Sequence, residues 1–139
     1  DALAAQAQRL GVAHRVHLPG FIADPAKAVG LFDIFALSSD SEQFPISVVE
    51  AMAAGLPVAA PAVGDVAGMV AAENRPFIAL PGDEGALSQA IETLALDDAL
   101  RERIGAANRD KAVASYDEAS MIAAYRRLYA SASGQGEIA

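Results

Sequence analysis

The amino-acid sequence predicts an α/β fold in which a parallel sheet is flanked by helices and followed by a segment of helices alone. Short apolar runs at residues 34–39, 57–60 and 77–80 alternate with stretches whose apolar residues recur at helical spacing. This alternation is typical of strand–helix–strand units with parallel strands. After Pro81 only helical patterns remain. Right-handed crossovers would make the sheet doubly wound, as in Rossmann-like domains.

About four parallel strands are predicted. The segment RVHLPGF alternates into a short strand at residues 15–18, which Pro19 and Gly20 close. The run IFALSS at residues 34–39 has the composition of a buried parallel strand whose carboxyl end delivers a polar loop. The remaining strands are expected at residues 57–60 and 77–80.

The helices between the strands are predicted from their start and stop signals. Gly11 ends a first helix, and Asp24 followed by Pro25 begins a short second one. A third helix covers residues 46–54 and ends at Gly55. A weaker helical turn is expected over residues 65–72.

The helical segment covers about residues 83–131 and belongs to the same domain as the sheet. Its three helices share an aspartate N-cap: Asp83, Asp97 and Asp117. A chain of 139 residues suffices for one ordinary core, so we expect a single domain over residues 1–139 with a frayed tail at its end. The first residues, DALAAQAQRLG, lie inside a helical pattern without a start signal, which indicates a partial domain.

Composition narrows the classes of ligand. The net charge is −8 and the sequence pI is near 4.5, so the chain has no positive field that would favour nucleic acid as a partner. An anionic ligand must instead be held by local devices such as helix N-termini. The absence of cysteine fits a reducing compartment, and we expect a cytoplasmic protein.

Two glutamates stand out in the segment SEQFPISVVEAMAAGLPVAAP. Glu42 follows the predicted strand at residues 34–39, and Glu50 lies about one turn inside the next helix. Both can therefore face one crevice at the carboxyl ends of the strands, where open α/β sheets bind ligands. A carboxylate can accept hydrogen bonds from two neighbouring hydroxyls, and ribose and sugar rings both present such diols.

The spacing of Glu42 and Glu50, with FP after the first and AMAAGLPV after the second, resembles the Glu-x7-Glu signature of glycosyltransferase family 4. VHLPGF, AVGLFDIFALSS, PGD and the terminal helical segment support the resemblance, which covers nearly the whole chain. It implies the C-terminal, nucleotide-sugar-binding domain of a retaining glycosyltransferase with the two-domain GT-B fold, present here in part.

The resemblance also implies roles for individual residues. Glu42 would be the catalytic residue, binding hydroxyls of the donor sugar, and Glu50 would bind the ribose. The donor would further meet a segment at the start of the helix, composed of Phe44, Pro45, Ile46 and Ser47. A loop of Gly20, Phe21 and Ile22 would lie against the base. Gln43, where the family commonly has glycine, would alter the sugar pocket.

The implied reaction transfers a hexose from a nucleoside diphosphate sugar to an acceptor hydroxyl with retention of configuration. No cofactor and no metal are expected. The acceptor-binding N-terminal domain and the basic residues for the diphosphate are missing, so the piece alone should be inactive. Peripheral membrane association of the full-length protein is left open.

Other interpretations remain. The chain could be a noncatalytic nucleotide-binding or scaffolding domain, or part of a GT-B epimerase or phosphorylase. Taken alone, Glu42 and Glu50 could be solvated acids near a helix N-terminus, where acids are favourable. Asp40, Ser41 and Glu42 superficially resemble a metal-binding Asp-x-Asp motif, but a turn containing helix caps explains them better.

Overall fold

The computed structural model describes residues 2–133, which form three short strands and seven α-helices. In chain order the elements are α1 (Ala2–Arg9), α2 (Pro25–Val29), β1 (Phe35–Ala36), α3 (Ile46–Ala53), β2 (Val58–Pro61), α4 (Val66–Met69), β3 (Ile78–Ala79), α5 (Glu84–Leu96), α6 (Asp98–Ser115) and α7 (Glu118–Ser133). Two 3-10 helices, Ala13–Arg15 and Ala72–Phe77, complete the described part.

The three strands form one parallel sheet in the order β1-β2-β3. Phe35 pairs with Val58, and Ala60 pairs with Ile78. Because each pair of neighbouring strands is parallel and joined through a helix, all three carboxyl ends lie at the same edge of the sheet. That edge is where a ligand site is expected.

The central strand β2 is buried on both faces, which explains why it reads as a continuous apolar run. Val58 and Ala60 pack into a core with α3 and α4, whereas Ala59 packs with α5 and with Ile104 of α6. The predicted α/β class, a parallel sheet flanked by helices, is therefore confirmed.

The helical segment begins where it was predicted to begin. The carboxylates of the three aspartates accept N–H bonds three residues on: Asp83 from Ala86 at 2.9 Å, Asp97 from Leu100 at 2.8 Å and Asp117 from Ser120 at 2.8 Å. Asp24 differs, because its side chain caps no N–H and instead forms an exposed ion pair with Lys27 at 3.0 Å. The part of the tail beyond Ser133 lies outside the described residues.

The strand predicted at residues 15–18 was wrong. Residues Ala13–Arg15 form a 3-10 helix, and residues 16–18 are irregular and exposed. A strand needs a neighbour that supplies backbone hydrogen bonds, and none of β1, β2 and β3 pairs with this segment. The described sheet therefore has three strands instead of four, and the strand predicted at residues 34–39 shortens to Phe35–Ala36.

No helix between residues 2 and 133 has the length and apolar character needed to cross a bilayer. In the same range, no three or more His, Cys, Asp or Glu side chains are grouped so that they could hold a metal ion.

Candidate functional site

Glu42 lies in the loop that leaves the sheet after β1. The N–H of Phe35 donates to the Pro57 carbonyl and the N–H of Leu37 donates to the Ala59 carbonyl, both at 3.0 Å, so β1 is held to β2 up to the start of the loop. Residues 38–45 then cross the carboxyl edge of the sheet to reach α3. The Glu42 side chain is half-buried there.

Glu50 lies on α3, one turn beyond Ile46. The opposite face of α3 carries Val48, Ala51 and Met52, which are fully buried against the sheet. Since residues four apart share one face of a helix, Glu50 lies above Ile46 on the face that the core leaves open. Its side chain is half-buried. Packing of the buried face thus fixes the direction in which Glu50 projects.

The two carboxylates are available to a ligand. Within residues 2–133, no side chain or backbone group forms a hydrogen bond or ion pair with the carboxylate of Glu42 or Glu50. A half-buried carboxylate that has lost part of its hydration gains by accepting hydrogen bonds from hydroxyls or amides. Such a pair is suited to binding diols.

The start of α3 offers backbone donors beside these carboxylates. Pro45 occupies the N-cap and is buried, and its carbonyl accepts the N–H of Val48 at 3.0 Å. The N–H groups of Ile46 and Ser47 have no acceptor inside the helix, as at any helix N-terminus. Ile46 is 67% exposed, so this end of α3 faces solvent.

Phe44 fixes the end of the loop from its side chain. Its ring meets the ring of Tyr116 edge to face, with centroids 5.7 Å apart and planes at 72°. Such a contact between aromatic rings is favourable beyond the area that it buries. The side chain of Phe44 therefore points toward the end of α6, and what it offers a ligand is its backbone.

Gly64 and Asp65 contact the backbone of the Glu42 loop. Gly64 has φ +53°, and a Cβ at this position would lie 2.6 Å from the Glu42 carbonyl oxygen and still closer to the Gln43 carbonyl oxygen. The Asp65 N–H donates to that Gln43 carbonyl at 2.8 Å. Sequence reasoning did not assign this role to Gly64, although the small residues of PAVGDVAG were a signal that another backbone could approach closely.

The structure does not join the segment Gly20–Ile22 to the two glutamates. Phe21 is 92% exposed, and no hydrogen bond, ion pair or ring contact within residues 2–133 links this segment to Glu42 or Glu50. The segment precedes α2, which packs against α3 through the buried Val29.

A cavity of about 220 Å³ opens where the three strands end. It lies between the loop after β1 and the start of α5. Its lining consists of Ser38, Ser39, Asp40, Pro61, Leu80, Gly82, Asp83, Glu84 and Leu87. The sequence predicted these residues as strand ends, turns and the start of a helix, and assigned none of them to a ligand site; Asp83 does cap α5, and its position at the strand ends follows from the parallel topology.

The groups around α4 have shifted pKa values. Burial, followed by the neighbouring carboxylate of Asp65, raises the pKa of Tyr116. Burial, followed by the charge of Arg75, lowers the pKa of Lys111. The Tyr116 hydroxyl donates to the Met69 carbonyl at 3.1 Å. Lys111 and Tyr116 thus hold residues 68–70 of the segment whose first residues, Gly64 and Asp65, contact the Glu42 loop.

Comparison with known proteins assigns the chain to a family. The family model of glycosyl transferases group 1 matches residues 1–111, which include the sheet, the Glu42 loop and α3. The chain belongs to the glycosyl transferases group 1 family. Its sheet and flanking helices match solved glycosyltransferase structures with the GT-B fold, as the resemblance implied.

Two curated relatives are similar to this chain along most of its length. It is 30% identical over 132 residues to the lipopolysaccharide core biosynthesis glycosyltransferase LpsE of Rhizobium meliloti (strain 1021), covering 94% of this chain and 38% of the relative. It is 31% identical over 134 residues to a phosphatidyl-myo-inositol mannosyltransferase of Mycobacterium leprae (strain TN), covering 94% and 36%. The chain thus spans a little over a third of each relative.

Solved structures of similar fold include two that hold a nucleotide. Anabaena Alr3699/HepE in complex with UDP aligns with a TM-score of 0.86 at 28% identity, covering 94% of this chain and 36% of the other. The same protein with UDP and glucose gives a TM-score of 0.85 at the same identity and coverage. Sucrose-phosphate synthase from Thermosynechococcus elongatus gives 0.80 at 28% identity, covering 93% and 34%.

Proposed function

We propose that this chain is the donor-binding part of a glycosyltransferase that transfers a hexose from a nucleoside diphosphate sugar to an acceptor hydroxyl with retention of anomeric configuration. The observation that carries the proposal is the presence of two half-buried, unpartnered carboxylates, Glu42 in the loop that leaves β1 and Glu50 one turn inside the helix that follows. A similar fold in Alr3699/HepE holds UDP, and UDP with glucose, which supports a nucleotide sugar as the ligand.

Each residue of the proposed site has a distinct part. Glu42, the catalytic residue, accepts hydrogen bonds from hydroxyls of the sugar, and Glu50 accepts them from the ribose. The N–H groups at the start of α3 and the Ser47 hydroxyl bind an oxygen of the sugar or diphosphate. Gly20, Phe21 and Ile22 lie against the base.

Departure of the diphosphate is the step at which negative charge develops. The positive end of α3 is aimed at the carboxyl edge of the sheet, so it can stabilise this charge without moving. Basic residues from outside this chain supply the rest, and no metal or cofactor takes part. The reaction also needs an acceptor-binding N-terminal domain as a partner, so residues 1–139 alone turn over no substrate.

The first experiment tests Glu50 in the full-length protein. Calorimetric titration with UDP and a panel of nucleotide sugars identifies the donor in the wild type. Glu50→Ala should weaken binding by about 1 to 3 kcal/mol, the range for leaving a hydrogen-bonding group of the ligand without its partner. The matched control is Glu92→Ala, which makes the same change on the exposed face of α5 and should leave every affinity unchanged.

A nucleotide that lacks one ribose hydroxyl tests the role of Glu50 more directly. Wild-type protein should bind 2′-deoxy-UDP more weakly than UDP, because Glu50 loses one of its hydroxyl partners. Glu50→Ala should bind the two nucleotides equally. If the mutant still discriminates between them as strongly as the wild type, Glu50 does not bind the ribose. Binding of a nucleotide sugar without turnover by the full-length protein would instead indicate a noncatalytic nucleotide-binding domain.

A further inference from the structure

We propose that Gly64 is a positioning residue for Glu42, and that the segment of residues 64–71, anchored on α6, sets where the sugar-binding loop lies. This inference rests on the proposed function, because it assigns to Gly64 the placement of the carboxylate that meets the sugar. Gly64 itself offers no group to the substrate.

The first support is the contact that only glycine permits. A Cβ on Gly64 would come within 2.6 Å of the Glu42 carbonyl oxygen and closer still to that of Gln43. Both neighbours are backbone atoms, so a side-chain rotation cannot relieve the overlap. The positive φ of +53° at Gly64 adds strain for any residue with a side chain.

The second support is the hydrogen bond that continues this contact. The Asp65 N–H donates to the Gln43 carbonyl at 2.8 Å, so the loop is joined to the start of α4 immediately beside Gly64. The close approach of Gly64 is what allows this bond to form. The backbone of residues 42–43 is therefore held in place by residues 64–65.

The third support is the anchoring of the segment on its other side. Val66 and Met69 are almost fully buried. Side chains of α6 and of Tyr116, the residue after it, bind the four successive residues 68–71. Lys111 donates to the Gly68 carbonyl at 2.6 Å and the Val70 carbonyl at 2.8 Å, Tyr116 donates to the Met69 carbonyl at 3.1 Å, and Asn108 accepts the Ala71 N–H at 3.0 Å. This segment cannot give way easily.

A side chain at position 64 would consequently displace the loop and with it Glu42. Glu50 should stay in place, since Val48, Ala51 and Met52 also bury α3 against β2 and α6, which the substitution does not touch. The sugar half of the site is thus expected to suffer while the nucleotide half is preserved. A merely structural defect would weaken both halves alike.

The test compares Gly64→Ala with Gly68→Ala in the full-length protein. Gly68 lies in the same segment, but a Cβ there would meet nothing within 4 Å. Calorimetry gives Kd for UDP and for the nucleotide sugar that the wild type binds best, and kinetics give kcat. Gly64→Ala should weaken nucleotide-sugar binding and lower kcat by about 10²-fold, as for a displacement of about 1 Å, with Kd for UDP unchanged. Gly68→Ala should match the wild type.

Equal weakening for UDP and the nucleotide sugar, or no weakening of either, would overturn the inference. If Gly64→Ala does not fold, Tyr116→Phe takes its place, because it removes the bond to the Met69 carbonyl and keeps the ring against Phe44; the same two outcomes then decide. A wild type that binds no nucleotide sugar contradicts the proposed function instead. In that case hydrogen exchange of the Asp65 amide tests whether Gly64 positions the loop: faster exchange in Gly64→Ala than in Gly68→Ala supports the inference, and equal rates refute it.

Discussion

The buried amide of Asn108 provides the sharpest test of how this domain is held together. Asn108 is fully buried on α6, and its Nδ2 donates to the Leu56 carbonyl and to Oδ1 of Asn74, both at 2.8 Å. Its Oδ1 accepts the Ala71 N–H at 3.0 Å. One side chain thus satisfies backbone groups at the entry to β2 and after α4. We expect Asn108→Ala to destabilise the fold strongly.

The magnitude follows from the groups that the mutation leaves unsatisfied. The Leu56 carbonyl and the Ala71 N–H both lose their partner in a buried position, whereas Asn74 keeps its bonds to the N–H and carbonyl of Val58. Each buried orphan costs about 1–3 kcal/mol, so two cost about 2–6 kcal/mol. This is a large share of the free energy of unfolding of a whole domain, which is typically about 5–15 kcal/mol.

The measurement is urea unfolding of residues 1–139, monitored by far-UV circular dichroism because the chain has no tryptophan whose fluorescence could report unfolding. Arg109→Ala, at the next and exposed position of α6, is the control and should lie within about 0.5 kcal/mol of the wild type. Asn108→Leu fills the space but keeps both orphans, so it should be nearly as unstable as Asn108→Ala. An Asn108→Ala protein as stable as the control would refute the reasoning.

Two further predictions concern the contacts around α6. Because burial and Asp65 raise the pKa of Tyr116 above its ordinary 10.0, the folded state keeps a proton that the unfolded chain loses; the resulting stability is present below pH 10.0 and is lost as the pH rises toward the folded pKa. The free energy of unfolding should therefore fall more steeply with rising pH in the wild type than in Tyr116→Phe. Lys111 titrates in both proteins, so parallel curves would contradict this prediction. Gly105→Ala should destabilise by about 1–3 kcal/mol, because a Cβ there overlaps the backbone carbonyl of Gly55. Gly85→Ala on α5, whose nearest neighbour would be Asp83 Oδ1 at 3.5 Å, should gain helix propensity instead, and equal urea midpoints for the two would count against the overlap.

The incorrect prediction of a strand at residues 15–18 shows what a local sequence pattern cannot predict. Alternation of polar and apolar residues is a local property, but a strand exists only when another strand supplies its hydrogen bonds. Within the described residues no strand pairs with this segment, and Val16 and Leu18 remain exposed. The prediction for residues 34–39 was confirmed in part, because the N–H groups of Phe35 and Leu37 find acceptors on Pro57, just before β2, and on Ala59 of β2.

The candidate site likewise has features that the sequence predicted and features that it did not. The positions of Glu42 after β1 and of Glu50 one turn inside α3 were predicted, since a strand end, a loop and a helix start follow from short-range signals. The support of the Glu42 loop by Gly64 was not predicted. Nothing in PAVGDV states which backbone will pass over it; the sequence indicates only that one could.

The sequence by itself determined the α/β class, the spacing of the two glutamates and the aspartate caps of α5, α6 and α7. These depend on periodicity and on hydrogen bonds between residues three apart. The tertiary structure decided how Gly64 meets the Glu42 loop and how Asn108 joins groups 37 and 52 residues away. Such contacts arise from how packed elements fit together, so they appear only when the whole core has formed.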